Sequence, residues 1–371
     1  MSRFFVRPAS EVDNQALCEL SKIPLEGQIS LSLERCPDFF AGAMVQNEAV
    51  EVNLCCDRSQ GNRIAAVFST GRRQQFVDGQ IAWVRYLSDV RILPEYQGRR
   101  PLRMINDHII AREQSQPSAV VQSVMFSDNR AMNGVIRRRL SRIVRPEYLW
   151  FYDLGIYRTS AVSLATGIRR HHCQHTVRRA EPDDITAMQS FFDAEAPGKQ
   201  LYPRYRFDQL DEPQYSGLKI GDYFLACDGE EIIGITGIWD QHLYKQTRIA
   251  GYSGTLRWSR PIVNVLSRAT TGFSLPPPGT ELRYFYLHTI VTKENSVAIF
   301  RDLVTHIHSS YRGGDYMYFL CGLFTHDPLL RVLDEFRSRR DVTAQHYQVS
   351  SNELQRPLSP EMPLYVEAAR I

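Results

Sequence analysis

The sequence predicts an α/β chain, α+β-like in character, with mixed sheets covered by helices and two similar units in tandem. Three observations carry this. The chain has 371 residues, and about 100 to 200 residues per domain makes two units the natural division. Segments rich in β-formers alternate with segments of helical spacing along its whole length. Finally, Val6, Arg7, Ala9, Asp13 and Ala16 recur as Val177, Arg178, Ala180, Asp184 and Ala187, all at an offset of 171.

Each copy of that echo reads as a short strand, a turn holding an acidic helix cap, and an amphipathic helix, ALCELSKI in the first and ITAMQSFFDA in the second. In the first half AVEVNLCCD and RIAAVFST read as strands, and after the turn at Val77, Asp78 and Gly79 so does IAWVRYLSDVRIL, ending at Pro94. A helix follows from Gln97 through PLRMINDHIIAREQ, then the strand AVVQSVMF, a helix opened by Ser127, Asp128 and Asn129, and the strand EYLWFYDLGIYRTSAVSL.

The second half repeats the order. DYFLACDGEEIIGITGIWD is a hairpin turning at Asp228 and Gly229, ELRYFYLHTIVT a strand, VAIFRDLVTHIHSSY a helix, DYMYFLCGLF a strand and PLLRVLDEF a helix. Between the halves, ATGIRRHHCQHTVRR is small, polar and basic, as an exposed linker is. The boundaries are therefore set at 1–168 and 176–371, the second unit carrying an insertion near 251–280 with a helix, PIVNVLSRAT, and a Pro-rich loop. Its apolar face is expected to pack on the domain or to cover a cleft.

Composition narrows the function classes. With 44 basic against 41 acidic residues the net charge is +3, so bulk attraction to nucleic acid or membrane is not expected, and local clusters must carry any such partner. Seven Cys, two of them adjacent at Cys55 and Cys56, do not make a secreted disulfide framework. A soluble, cytoplasmic protein in a reducing compartment is expected, because the start MSRFFVRPAS has no leader pattern and no apolar run is long enough to span a bilayer.

The segment VRYLSDVRILPEYQGRRPLRMI resembles motif A of the GNAT (Gcn5-related N-acetyltransferase) family: a strand ending in Pro, then Glu and Tyr, then a Gln-initiated turn opening a helix. A turn into a helix N-terminus offers unpaired amides and a positive dipole end to a pyrophosphate. The resemblance implies two GNAT-like domains, each a mostly antiparallel twisted sheet, with acetyl-CoA on the first. It assigns the donor to Val90, Arg91, Ile92, Gln97, Gly98, Arg99, Arg100, Leu102, Arg103 and Asn129. Arg100 and Leu102 stand where the family signature carries small residues, and Val135 and Ile136 where its helix often carries Tyr. The arginines are expected to compensate by gripping phosphate. In the second half the corresponding turn, TKENSVAIF, has neither Gly nor a basic cluster, so that copy is expected to be degenerate.

Acyl transfer to an amine needs a base at the end of the donor. Asp89 and Tyr86 lie on the strand nearest the thioester, but strand alternation sends them to opposite faces unless a bulge intervenes. The competing role for Asp89 is an ion pair with Arg91 or another Arg. Glu34, with Arg35 and Asp38, falls where GNAT proteins build the acceptor site, or else belongs to a capped helix start. His171, His172, Cys173 and His175 do not match a metal-site spacing, so no metal is expected; His288 and Cys321 read as core. The sequence thus implies an acyl-CoA-dependent N-acetyltransferase acting on the amine of a small molecule or peptide. The alternative is a non-catalytic tandem module that binds acyl-CoA or a protein partner; the oligomeric state is left open.

Overall fold

The computed structural model describes residues 2–25, 29–97, 100–127, 149–167, 173–270, 275–351, 358 and 361–371. The echo of the sequence is an echo of structure. Strand β1 (Phe4–Pro8) enters helix α1 (Asn14–Ser21) through a turn in which Arg7 grips Asp13 with two bonds, at 2.7 and 2.8 Å. Further along, β8 (Thr176–Arg179) enters α4 (Ile185–Glu195) with Arg178 gripping Asp184 through two bonds of 2.7 Å. In both turns the aspartate also accepts an amide three residues back, from Ser10 at 2.9 Å and from Glu181 at 2.8 Å.

The first half continues with β2 (Ile29–Glu34), α2 (Phe39–Met44), β3 (Ala49–Asp57), β4 (Arg63–Val77), β5 (Gln80–Ile92), α3 (Pro101–Ser115), β6 (Val120–Phe126) and β7 (Trp150–Ser163). Its two-sided core follows from strand alternation. Val52, Leu54 and Cys56 of β3 pack with Leu17, Phe39 and Ala43 of α1 and α2. Cys55 points the other way, joining Phe68, Leu87, Ile105 and Ile109 under α3. The adjacent cysteines therefore serve opposite faces, and both are free.

The second half has β9 (Tyr223–Asp228), β10 (Glu231–Trp239), β11 (Gln246–Tyr252), the helix α5 (Gly254–Thr270), β12 (Tyr284–Thr292), α6 (Val297–Tyr311), β13 (Tyr318–Phe324), α7 (Leu330–Asp334) and β14 (Arg339–Ser350). Phe300, Leu303, Val304 and Ile307 bury one face of α6 against the strands. The segment between the halves is anchored in its described part: the buried Asp302 of α6 accepts the amides of Gln174 and His175 at 2.9 and 3.0 Å, and the His175 ring lies 2.9 Å away. The segment is exposed at Cys173 and Gln174, as expected of a linker, and is tied down at Asp302.

Twelve strands form one continuous sheet in the order β1-β3-β4-β5-β6-β14-β7-β13-β12-β10-β9-β8. All pairings are antiparallel except β5 with β6 and β12 with β13. The halves exchange their last strands: β14 pairs with β6, and β7 pairs with β13, the two running against each other from Arg339↔Val162 to Ser350↔Trp150. A second, two-stranded sheet also joins the halves, β2 against β11. We propose 1–168 and 176–371 as the two units of the chain, each lending its final strand to the other.

Candidate functional site

Both parallel pairs open into a V. In the first half the ladder runs from Val84↔Val120 to Leu87↔Ser123; beyond it β6 pairs only with β14 while β5 continues alone on that side. In the second half the pairing stops at Tyr286↔Leu320 and β12 runs on. Just past each parting the strand bulges. Asp89, at φ 58°, is the extra residue between Ser69↔Ser88 and Val67↔Arg91, and Thr289, at φ 51°, is its counterpart between Gly237↔His288 and Ile235↔Val291. Neither position is glycine, so both hold a conformation that L residues seldom adopt, as functional sites often do.

The two openings differ in what fills them. In the second, Glu367 Oε2 accepts the Thr289 amide at 2.9 Å and the Tyr365 hydroxyl at 3.0 Å, while Glu195 accepts the amide of Glu294 at 3.0 Å in the turn that follows. The chain's own carboxylates thus occupy the donors of that slot. In the first, the bulge residue Val90 is 37% exposed against 1% for Ile290, and Phe126 at the end of β6 is 38% exposed against 6% for Phe324. The strand edge of the first slot is accessible, while beside the second a cavity of about 180 Å³ remains, lined by Glu195, Lys199, Ile290, Thr292 and Glu294.

The pairing of β2 with β11 sets a cluster of charged side chains beside the first slot, the crevice in which Arg35, Asp89 and Lys245 lie being nearly filled by them. The register Gln246↔Glu34 sets Lys245 across from Arg35, and Gln246 clamps the turn by donating to Cys36 O at 2.7 Å and accepting from Cys36 N at 3.2 Å. Arg35 Nη1 donates to Asp89 Oδ2 at 2.6 Å, and Ser88 Oγ donates to the same oxygen at 3.3 Å. Lys245 Nζ donates to the carbonyl of Ile371 at 3.0 Å and lies 5.8 Å from the Tyr286 ring. Tyr284, two residues back on the same face of β12, bonds Thr247 Oγ1 at 2.7 Å.

The electrostatics of the crevice are uneven. Burial pushes the Asp89 carboxyl up, but Arg35 and Arg91 outweigh it and hold the group below its ordinary value. Burial, aided by Arg35, Arg370 and Arg73, lowers the Lys245 ammonium to about 7 against the opposing pull of Asp89. An amine that loses its proton near neutrality therefore stands close to a fixed carboxylate and guanidinium, a combination suited to proton transfer.

The sequence-derived candidates divide. The bulge turns Tyr86 and Asp89 toward common surroundings: burial raises the Tyr86 phenol, Arg73 opposes the rise, and Asp89 and Arg35 also act on it. The bulge that strand alternation left open is thus present at Asp89. The carboxylate partner of Asp89 is Arg35 rather than Arg91, whose guanidinium instead holds the carbonyls of Leu20, Ser21 and Leu33 at 3.0, 2.8 and 3.2 Å. Glu34 is turned away, accepting from Ser32 Oγ at 2.6 Å and Arg248 Nε at 3.3 Å. Ile92 packs on the core under α3. Gln97, Arg100 and Arg103 are exposed where α3 begins, with Leu102 half-buried between them. Gly98, Arg99 and Asn129 lie outside the described residues, as do His171 and His172. Among the described residues no group of three or more His, Cys, Asp or Glu is placed to hold a metal. Sequence reasoning missed Lys245, Tyr284 and Tyr286; no motif marks them, because only the cross-half pairing brings them to Asp89.

Solved structures superpose on nearly the whole chain. A GCN5-related N-acetyltransferase from Anabaena variabilis superposes with a TM-score of 0.53 at 13% identity, over 94% of this chain and 73% of that one. Saccharomyces cerevisiae N-myristoyltransferase with bound myristoyl-CoA gives 0.60 at 10% identity, over 98% and 86%. The chain has the GNAT fold. A GCN5-related glucosamine N-acetyltransferase region of a fungal multi-domain β-N-acetylglucosaminidase gives 0.61 at 11% identity, over 94% of this chain and 38% of that one. No protein-family model and no curated protein sequence matches the chain.

Proposed function

We propose that the protein is an acyl-CoA-dependent N-acyltransferase whose donor lies in the first slot and whose acceptor amine enters the crevice of Asp89, Arg35 and Lys245. The observation that carries this is the contrast between the strand edges of the slots: in the second the amides of Thr289 and Glu294 are taken by Glu367 and Glu195, whereas in the first Val90 and Phe126 are exposed. Solved structures of the same fold include N-acetyltransferases and an N-myristoyltransferase holding myristoyl-CoA, which supports an acyl-CoA donor. Acyl-CoA supplies the acyl group as a thioester.

The chain's residues fit such a donor. The free side of β5 at Val90 offers backbone to an extended arm, and exposed Arg100 and Arg103 at the start of α3 offer guanidinium groups to phosphate. Asp89, kept ionised by Arg35, holds an incoming ammonium by charge, and Lys245 Nζ in its neutral form takes the proton that the amine must lose. Tyr86 lines the buried side. An acetyl donor and a small-molecule or peptide amine are our reading of donor and acceptor.

Calorimetric titration with CoA, acetyl-CoA and myristoyl-CoA tests the donor site, alongside an Arg100→Ala/Arg103→Ala variant. We expect heat with at least one thioester, weakened at least about tenfold in the variant. Absence of binding by all three removes the donor assignment. Binding without turnover on a broad amine panel favours a sensing module.

A further inference from the structure

The inserted helix α5 has two apolar faces, and the domain uses one. Leu256 and Val263 turn inward onto Ile249, Tyr252 and Leu275, and Asn264 fixes the helix by exchanging bonds with Leu275 at 2.7 and 2.9 Å. On the outer side Trp258, Ile262 and Val265 follow one another at helical spacing and are 80%, 64% and 67% exposed. Three large apolar side chains in one exposed row on one helix form a patch, unlike scattered surface residues. Arg257 borders the row, its guanidinium 5.6 Å from the Trp258 ring, and Arg260 lies 5.9 Å from the Tyr252 ring.

The charge along this helix is one-sided. Helix α5 itself carries no Asp or Glu, and Arg257 and Arg260 are basic. The near-neutral total therefore hides a locally cationic helix. A Trp with aliphatic neighbours on one side and arginines beside it is the pattern of a helix lying in the plane of a bilayer surface. A second copy of the chain would set this acid-free helix against itself, like charge on like charge. A membrane with anionic headgroups offers apolar depth beneath phosphate. Among the described residues no helix is long and apolar enough to cross a membrane, so contact here is superficial.

We infer that the outer face of α5, through Trp258, Ile262 and Val265 with Arg257 at its border, docks the protein on an anionic lipid bilayer. The helix follows the far end of β11 from Lys245, so the seven residues of that strand separate the docked face from Asp89 and Lys245. This inference stands apart from the proposed acyl transfer and survives its failure.

Flotation of the full chain with vesicles of phosphatidylcholine alone, or mixed with phosphatidylglycerol, tests it. The protein should float with the mixed vesicles and not with the neutral ones, several-fold less at high salt. Tryptophan emission should shift to the blue on binding. Trp258→Glu/Ile262→Glu should lower partitioning at least about tenfold with an unchanged melting temperature and circular dichroism, because both side chains are exposed. Trp258→Phe should still float while losing most of the emission shift. The inference is overturned by absence of flotation on mixed vesicles, or by equal flotation of the double variant. It is also overturned if sedimentation shows a dimer that the double variant dissociates without any vesicle binding, which would make a second copy the occupant.

Discussion

Arg35 and Asp89 meet at 2.6 Å, joining the turn after β2 to the bulge of β5, with side chains only 8% and 14% exposed. The pair explains how a carboxylate stays ionised at a bulge where burial alone would neutralise it.

Removing the guanidinium should expose that dependence. Arg35→Met leaves Asp89 partly buried and unpaired, and a loss of about 3 to 5 kcal/mol is expected at neutral pH from denaturant melts. Because the folded Asp89 sits below its ordinary value, its contribution is complete above about pH 4, the unfolded value, and fades as pH falls through the folded one. The gap between wild type and Arg35→Met should therefore narrow in acid. A constant gap would mean that lost packing, not charge, sets the difference.

Lys245 also makes stability rise with pH, but in a higher window and as a penalty rather than a gain. Its ammonium titrates near 7 in the folded protein and about 10.4 when unfolded, so between these values the unfolded chain binds more protons and stability rises with pH. Lys245→Met removes this penalty, and its melting temperature should exceed that of wild type by about 2 to 4 °C at pH 6 and by less at pH 9. If Lys245 is the base, the variant also loses the rise in turnover through pH 7 that the wild type shows, with donor binding intact.

The two echoed turns should answer alike. Asp13 is held at about 2 by Arg7, and Asp184 below its ordinary value by Arg178. Asp13→Ala and Asp184→Ala each remove a helix-entry cap and should each lower stability by about 1 kcal/mol. A large difference between them in equilibrium unfolding would show that the repeats are not energetically equivalent.

Where the halves join, Gly322 on β13 leaves room for Tyr157 on the neighbouring β7; a Cβ added there would meet the phenol oxygen at 1.7 Å. Gly322→Ala should cost about 1 to 3 kcal/mol through overpacking. Pairing it with Tyr157→Ala, which removes the clash but opens a cavity, should give a clearly non-additive double-mutant cycle.

Local signals were enough for most of the elements, though not for β2 and β11. Strand alternation and helical spacing marked β3 through β6 and α3, and Arg7 with Asp13 announced the turn that Arg178 and Asp184 repeat, because a cap and its ion pair lie within six residues. Asp89 was legible too, as a charged residue near the end of a strand before a helix-opening turn. What sequence spacing did not reach was everything that depends on residues far apart in the chain. The exchange of β7 and β14 follows from complementary edges, and the pairing of β2 with β11 brings Lys245 to Arg35 across some two hundred residues. Backbone hydrogen bonding across a ladder carries no side-chain signature, so only the tertiary structure decided which Arg would meet Asp89 and that Glu34 would turn to Arg248 instead. By itself the sequence determined two α/β repeats with a GNAT-like turn in the first; the folded chain decided that the Thr289 and Glu294 amides of the second slot pair with Glu367 and Glu195, because a backbone amide takes whichever acceptor the packing brings within reach.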